Sequence, residues 1–235
     1  MLTIFKNKTE LSRFFCEELL KLTLEKESIF FALSGGNTPK IIFQTLVKDF
    51  KAIIDWEKIH LFWGDERCVH PEDEESNFGM TKKFLLDYID IPEKNVYRIR
   101  GEENPEKEAI RYTNEIKKYV PFYKKLPLFD LIMLGLGEDG HTASIFTNQK
   151  RLINSDKICE VAVHPVSGQK RITLTGTVIN NAKRIIFLAT GGNKSGVIKE
   201  LLEGKEKNKY PAAYINSIHG RTDYFMDKQA AKLLK

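Results

Sequence analysis

Four short segments carry the side chains able to move protons and hold anions. In "GLGEDGHTASIF" (135–146), His141 follows Gly135, Gly137 and Gly140, with Asp139 two residues ahead of it. An imidazole takes and returns a proton near neutral pH, which few other side chains do without a large perturbation, and a carboxylate this close can set its orientation. A helix beginning at Thr142 would instead leave His141 as a capping residue. In "FWGDERCVHPEDEESNFG" (62–79), Arg67 stands where an apolar run ends. A guanidinium there can hold a phosphate or carboxylate through a two-pronged contact, with Asp65 or Glu66 orienting it. "TGGNKSG" (190–196) puts Lys194 in the first turn of a helix, where a cation opposes the dipole unless an anion lies between them. "SGGNTPK" (34–40) adds Gly35 and Gly36, over which a ligand can approach the backbone, and Thr38 at a helix start with unpaired amides. The combined expectation is acid/base chemistry on a small anionic substrate.

Several other chemistries find no support. "SGGNTPK" is not G-x-x-x-x-G-K-[ST], and it lacks the third glycine of a dinucleotide fingerprint. His60, His70, His164 and His219 show neither H-E-x-x-H nor i, i+4 pairing, so no metal and no cofactor are expected. Cys16, Cys68 and Cys159 are odd in number and far apart, which argues against a disulfide framework. The net charge of +5 comes from lysines spread along the chain, which suits a small anion better than a nucleic acid. The amino terminus becomes charged too early for a signal peptide, and no apolar window approaches a membrane span. A cytoplasmic protein, monomeric or weakly dimeric, without nucleic-acid or membrane partners, is expected.

These residues must be positioned by elements that are readable from periodicity. Helices are predicted over 9–26, with Thr9 as N-cap, over 38–50, with Thr38 and Pro39 at its start, and over 76–89 and 104–120. Strands are predicted at 28–33, 58–66 and 128–137. Residues 170–204 supply a strand, a short helical turn, a second strand and a helix; a strand at 222–227 and a short helix at 228–234 close the chain. The strands are continuous apolar runs alternating with helices, as a parallel sheet covered on both faces requires. The fold class is therefore α/β, doubly wound, with a mainly parallel sheet of Rossmann-like type, in a single domain over 1–235. "FFALSGGNTPKII" and "FLATGGNKSGVI" repeat one strand, Gly-Gly-Asn, helix pattern. Loops of that kind meet at the carboxyl ends of parallel strands, so the two predict one shared pocket.

Taken together, "SGGNTP", "GDERCVHPEDEESNFG", "GLGEDGHTASIF" and "RITLTGTVINNAKRIIFLATGGNKSGVIKEL" resemble the 6-phosphogluconolactonase family, in the family's order over 34–201. The resemblance implies hydrolysis of 6-phospho-D-glucono-1,5-lactone in the oxidative pentose phosphate pathway. His141 would be the general base, oriented by Asp139. Arg67 and Lys194 would contact phosphate or sugar acid, and Gly35, Gly36, Thr38, Asp65 and Gly140 would line the same pocket. Glucosamine-6-phosphate deaminases form a neighbouring branch, whose corresponding loop resembles D-G-H-I-A-F-N-E-P. Here Thr142, Ala143, Ser144 and Ile145 follow His141, which favours the lactonase. A sugar-phosphate sensor without catalysis is the alternative from another class. Two departures from the family pattern lie at the pocket edge: Thr147 replaces a proline, and "VSGQ" replaces a proline-rich lead into the strand that carries Arg171, whose role is left open.

Overall fold

The computed structural model describes residues 1–235. Six parallel strands form the main sheet: β1 (Leu2–Phe5), β2 (Ile29–Leu33), β3 (Ile59–Trp63), β7 (Leu131–Gly135), β10 (Arg184–Ala189) and β11 (Arg221–Asp227). Their spatial order is β1-β11-β10-β7-β2-β3. Every residue of β10 is buried, as are the first four of β7. Burial of successive residues, which point to opposite faces, means that both faces are covered. Helices α1 (Lys8–Glu25), α2 (Asn37–Thr45), α3 (Asn77–Phe84), α4 (Pro105–Tyr119), α5 (Gly176–Asn180) and α6 (Ser195–Glu203) flank it. The doubly wound α/β class is thus the observed one.

The strand order locates the crevice. From β2 the chain steps outward to β3, then returns to lay β7 on the other side of β2. The loops leaving β2 and β7 therefore run in opposite directions, which opens a cleft at the carboxyl ends of these two strands. Those loops carry Gly35 and Gly36 on one side and the Gly137–His141 turn on the other.

Several boundaries differ from the sequence expectation. The strand predicted over 58–66 is two strands: at Gly64 the chain leaves the main sheet, and β4 (Asp65–Arg67) joins a separate antiparallel sheet of order β4-β9-β8. Gly64 ties the two sheets together, donating its N–H to Leu33 of β2 and accepting from Leu174 at 2.8 Å each. The strand expected near 170 is β9 (Lys170–Leu174), antiparallel rather than part of the parallel sheet, and its partner β8 (Cys159–Val163) went unpredicted, as did β1. A small hairpin of β5 (Phe122–Tyr123) and β6 (Leu126–Pro127) completes the strands. Asn7, not Thr9, caps α1, because its Oδ1 reaches the Thr9 and Glu10 amides at 3.0 Å. The chain at 228–234 forms turns instead of a helix: Asp227 Oδ1 accepts from the Ala230 amide at 2.8 Å, and too few residues follow to propagate a helix. No helix is long and apolar enough to cross a membrane.

Candidate active site

At the β2/β7 crevice lies a cavity of about 930 Å³. Gly35, Gly36, Thr38 and Asp65 line it, and so do Arg67, His141 and Lys194. The structure thus brings together residues spread over 160 positions of sequence through three loops and one short strand, with His141 part-exposed at 28%.

The two Gly-Gly-Asn loops are built alike. Gly36 and Gly191 take φ values of 103° and 91°, a region that L side chains avoid. Each then hands the chain into a helical turn: α2 on one side, and on the other the 3₁₀ turn Gly192–Lys194 leading into α6. Thr38 does not cap α2; its hydroxyl meets the Thr190 hydroxyl at 2.8 Å, joining the two loops directly. Both loops and Lys194 line the one cavity, an arrangement suited to a phosphate.

The His141 loop is held by its own short contacts. Gly137 donates to the His141 carbonyl at 2.9 Å, and the Thr142 hydroxyl donates back to Gly135 at 2.8 Å. No helix begins at Thr142; residues 142–145 form a tight turn, so His141 is not a capping residue. Asp139 Oδ1 lies 2.5 Å from His141 Nδ1 and 3.2 Å from its backbone N–H. With Nδ1–H given to this carboxylate, Nε2 is left with the lone pair of a base. Asp139 itself stands behind the imidazole and does not line the cavity. Gly140 does not line it either: a Cβ there would collide with the Tyr210 ring, and its carbonyl accepts from Ala212 at 3.1 Å.

The hydrogen bond from His141 holds the Asp139 carboxyl down at about 2, against an ordinary 3.8, with burial opposing. A depressed folded-state pKa gives stability that is present above the unfolded value and lost as pH falls through the folded one. With Asp139 about half exposed, the contribution is small. Thermal melts of the wild type and Asp139→Asn should therefore differ by a constant amount above about pH 4 and converge toward about pH 2. A gap that stays open in acid would show that the two side chains are not paired.

The acids beside Arg67 do not orient its guanidinium. Asp65 Oδ2 accepts from the Ser144 hydroxyl at 2.7 Å, and Glu66 accepts from the Arg67, Asn77 and Phe78 amides at 2.7–2.8 Å. Burial drives the Glu66 carboxyl up to about 7, with those three N–H groups pulling the other way. What steers Arg67 is the Glu75 carbonyl, which accepts from its Nη1. Across the β4–β9 pair stands Arg171, also in the cavity. Asn77 enters as well, its side chain against Gly35 and its buried Oδ1 unpartnered. Asn77 did not stand out in sequence and the role of Arg171 was left open there, because each acquires meaning only through a partner distant along the chain.

The net charge of the cavity lining is positive. Asp65, Glu138 and Asp227 keep their charge while accepting from Ser144, from Asn193 Nδ2 at 2.6 Å and from the Gly191 amide at 3.1 Å, but five cationic residues outnumber these three acids. Arg67, Arg171, Lys194, Lys6 and Lys8 line it without a salt-bridge partner. Such a field favours an anionic ligand.

A family model described as glucosamine-6-phosphate isomerases/6-phosphogluconolactonase matches residues 6–224. The chain is 43% identical over 208 residues to a 6-phosphogluconolactonase of Haemophilus influenzae, covering 88% of each. Among solved structures, a devB protein superposes with a TM-score of 0.96 at 36% identity, over 100% of this chain and 99% of the other. A monomeric glucosamine-6-phosphate deaminase shares the fold, with a TM-score of 0.84 at 20% identity over 99% of each chain.

Proposed function

The chain belongs to the glucosamine-6-phosphate isomerase/6-phosphogluconolactonase family, and from that premise we propose that it hydrolyses 6-phospho-D-glucono-1,5-lactone to 6-phospho-D-gluconate, the lactone-opening step of the oxidative pentose phosphate pathway. The observation carrying this reading is the His141–Asp139 pair, its Nε2 free, beside a cationic cavity. The name of the Haemophilus relative agrees with it.

In the proposed reaction His141 Nε2 takes a proton from water as the water oxygen adds to C1. The carbonyl electrons move to oxygen, then return as the bond from C1 to the ring oxygen breaks. The protonated imidazole gives its proton to that departing oxygen, so acid and base are one group and the enzyme ends as it began. No nucleophilic serine is needed. Ser144, the nearest hydroxyl in sequence, is buried and donates to Asp65, and no G-x-S-x-G turn presents it. Lys194 and the amides at the two Gly-Gly-Asn loops would hold the phosphate, with Asn77 Oδ1 available to a sugar hydroxyl. The step uses side chains and water alone.

Generating the lactone in situ and following its disappearance tests the reading. The purified chain should open it well above the spontaneous rate and release no ammonia from glucosamine 6-phosphate. Ammonia release without lactone opening would move the chain to the deaminase branch, and sugar-phosphate binding with neither reaction would make it a sensor.

A further inference from the structure

Gly140 is the pivot of the turn that presents the imidazole. Its φ of 77° lies in the left-handed region, and its N–H donates to the Gly137 carbonyl at 3.0 Å. The peptide joining it to His141 is held from two sides: the Asp139 carboxylate accepts from its N–H at 3.2 Å, and its carbonyl accepts from the Ala212 amide at 3.1 Å. Glycine has more backbone freedom than any other residue, so a turn with glycine at 137 and 140 keeps one shape only where its surroundings impose it. Within the turn, local hydrogen bonds do so. From outside, the restraint comes from the 3₁₀ turns Lys207–Lys209 and Pro211–Tyr214, some 70 positions further along the chain.

That segment is itself tied down. Pro211 and Ala212 are buried. The Asn208 carbonyl accepts from Lys150 Nζ at 2.9 Å and from the Tyr214 hydroxyl at 3.0 Å, and the Tyr214 carbonyl accepts from Asn180 Nδ2 at 3.0 Å. Between these anchors the Tyr210 side chain fills the place a Gly140 side chain would take, since a Cβ built there would run into Tyr210 Cδ1, Cγ and Cβ. Neither Tyr210 nor Ala212 lines the cavity, so any effect of this segment on the reaction passes through the turn. We propose that Tyr210 is a positioning residue for the base: its ring, seated on Gly140, keeps the 137–141 turn in the form that pairs Asp139 with His141 and aims the imidazole into the cavity. The effect on rate rests on the lactonase reading, whereas the effect on the Asp139–His141 pair does not. The contact is made by Cβ and the near edge of the ring, so the hydroxyl is dispensable.

Tyr210→Ala removes the backing, and two measurements read the outcome. A displacement of about 1 Å at a reacting group costs on the order of 10²-fold, so kcat for the lactone should fall by roughly 10- to 100-fold, with KM within about two-fold of the wild type. Carboxyl NMR, which needs no substrate, should show Asp139 titrating above its wild-type value of about 2 as its hydrogen bond from the imidazole loosens. Tyr210→Phe should match the wild type in both, and Tyr210→Leu, which keeps apolar bulk but not the flat ring, should fall between. Assays run well below each variant's melting temperature separate this from a loss of stability, because a merely structural role would lower that temperature and leave kcat and the Asp139 titration unmoved. That result would overturn the proposal, as would a rise in KM at unchanged kcat, or a Tyr210→Phe variant as impaired as Tyr210→Ala. If the wild type does not open the lactone, the assigned reaction falls and the Asp139 titration alone decides whether Tyr210 holds the pair.

Discussion

His141→Ala is expected to lower turnover of the lactone by roughly 10²- to 10⁴-fold, the contribution of a well-placed general base, while 6-phosphogluconate still binds within a few-fold of the wild type. The two halves of this expectation come from different parts of the site. The proposed binding groups are Lys194, Arg67 and the loop amides, and the imidazole's own contacts are Asp139 at 2.5 Å and the Phe146 ring. Removing it leaves no buried donor behind, because the side chain is part-exposed and its one carboxylate partner is about half exposed. The melting temperature should therefore hardly move. His164 is the control, since its ring packs on the same Phe146. Its Nδ1 accepts from the Ser167 amide at 3.1 Å within its own loop, and it does not line the cavity, so His164→Ala should retain turnover. Full activity in His141→Ala, or loss of activity in His164→Ala instead, would transfer the role of base.

The contrast between His141 and Arg171 shows what the chain discloses before it folds. The histidine, its carboxylate and three glycines fall within seven residues, so local spacing alone displays the acid/base pair, and the apolar run 131–135 before it reads plainly as a buried strand. Lys194 is legible for a similar reason, because a cation at a helix start opposes the dipole and demands an explanation. Arg171 becomes informative only when β9 pairs antiparallel with β4, over a hundred positions earlier, a pairing no periodicity announces. The same limit hid the break at Gly64, where an unbroken apolar-to-polar run crosses from one sheet to another. It also led to assigning Asp65 to Arg67: the two share a face of β4, but the Asp65 carboxylate accepts from Ser144, 79 positions away, a partner that only the fold supplies. Local chemistry was readable, whereas chemistry made by tertiary pairing was not.

Gly137→Ala should disable the enzyme without unfolding it. Gly137 is not one of the glycines with positive φ, but the added methyl would collide with His141 Nδ1 and Cε1 and lie 2.5 Å from Asp139 Oδ1. Both side chains border solvent and can swing outward to relieve the clash, which moves the strain out of the fold and into the geometry of the base. A displacement of about 1 Å at a reacting group can cost on the order of 10²-fold in rate, and kcat should fall by about that factor. KM should stay close to the wild-type value, because the added methyl points at His141 and Asp139. The displaced Asp139 should also lose its hydrogen bond from the imidazole, so its pKa should rise from about 2 toward 3.8, readable by carboxyl NMR titration. Loss of rate with an unmoved Asp139 titration would mean that the methyl blocks water instead of shifting the pair. Unchanged turnover would mean that the carboxylate–imidazole contact is not what the reaction depends on.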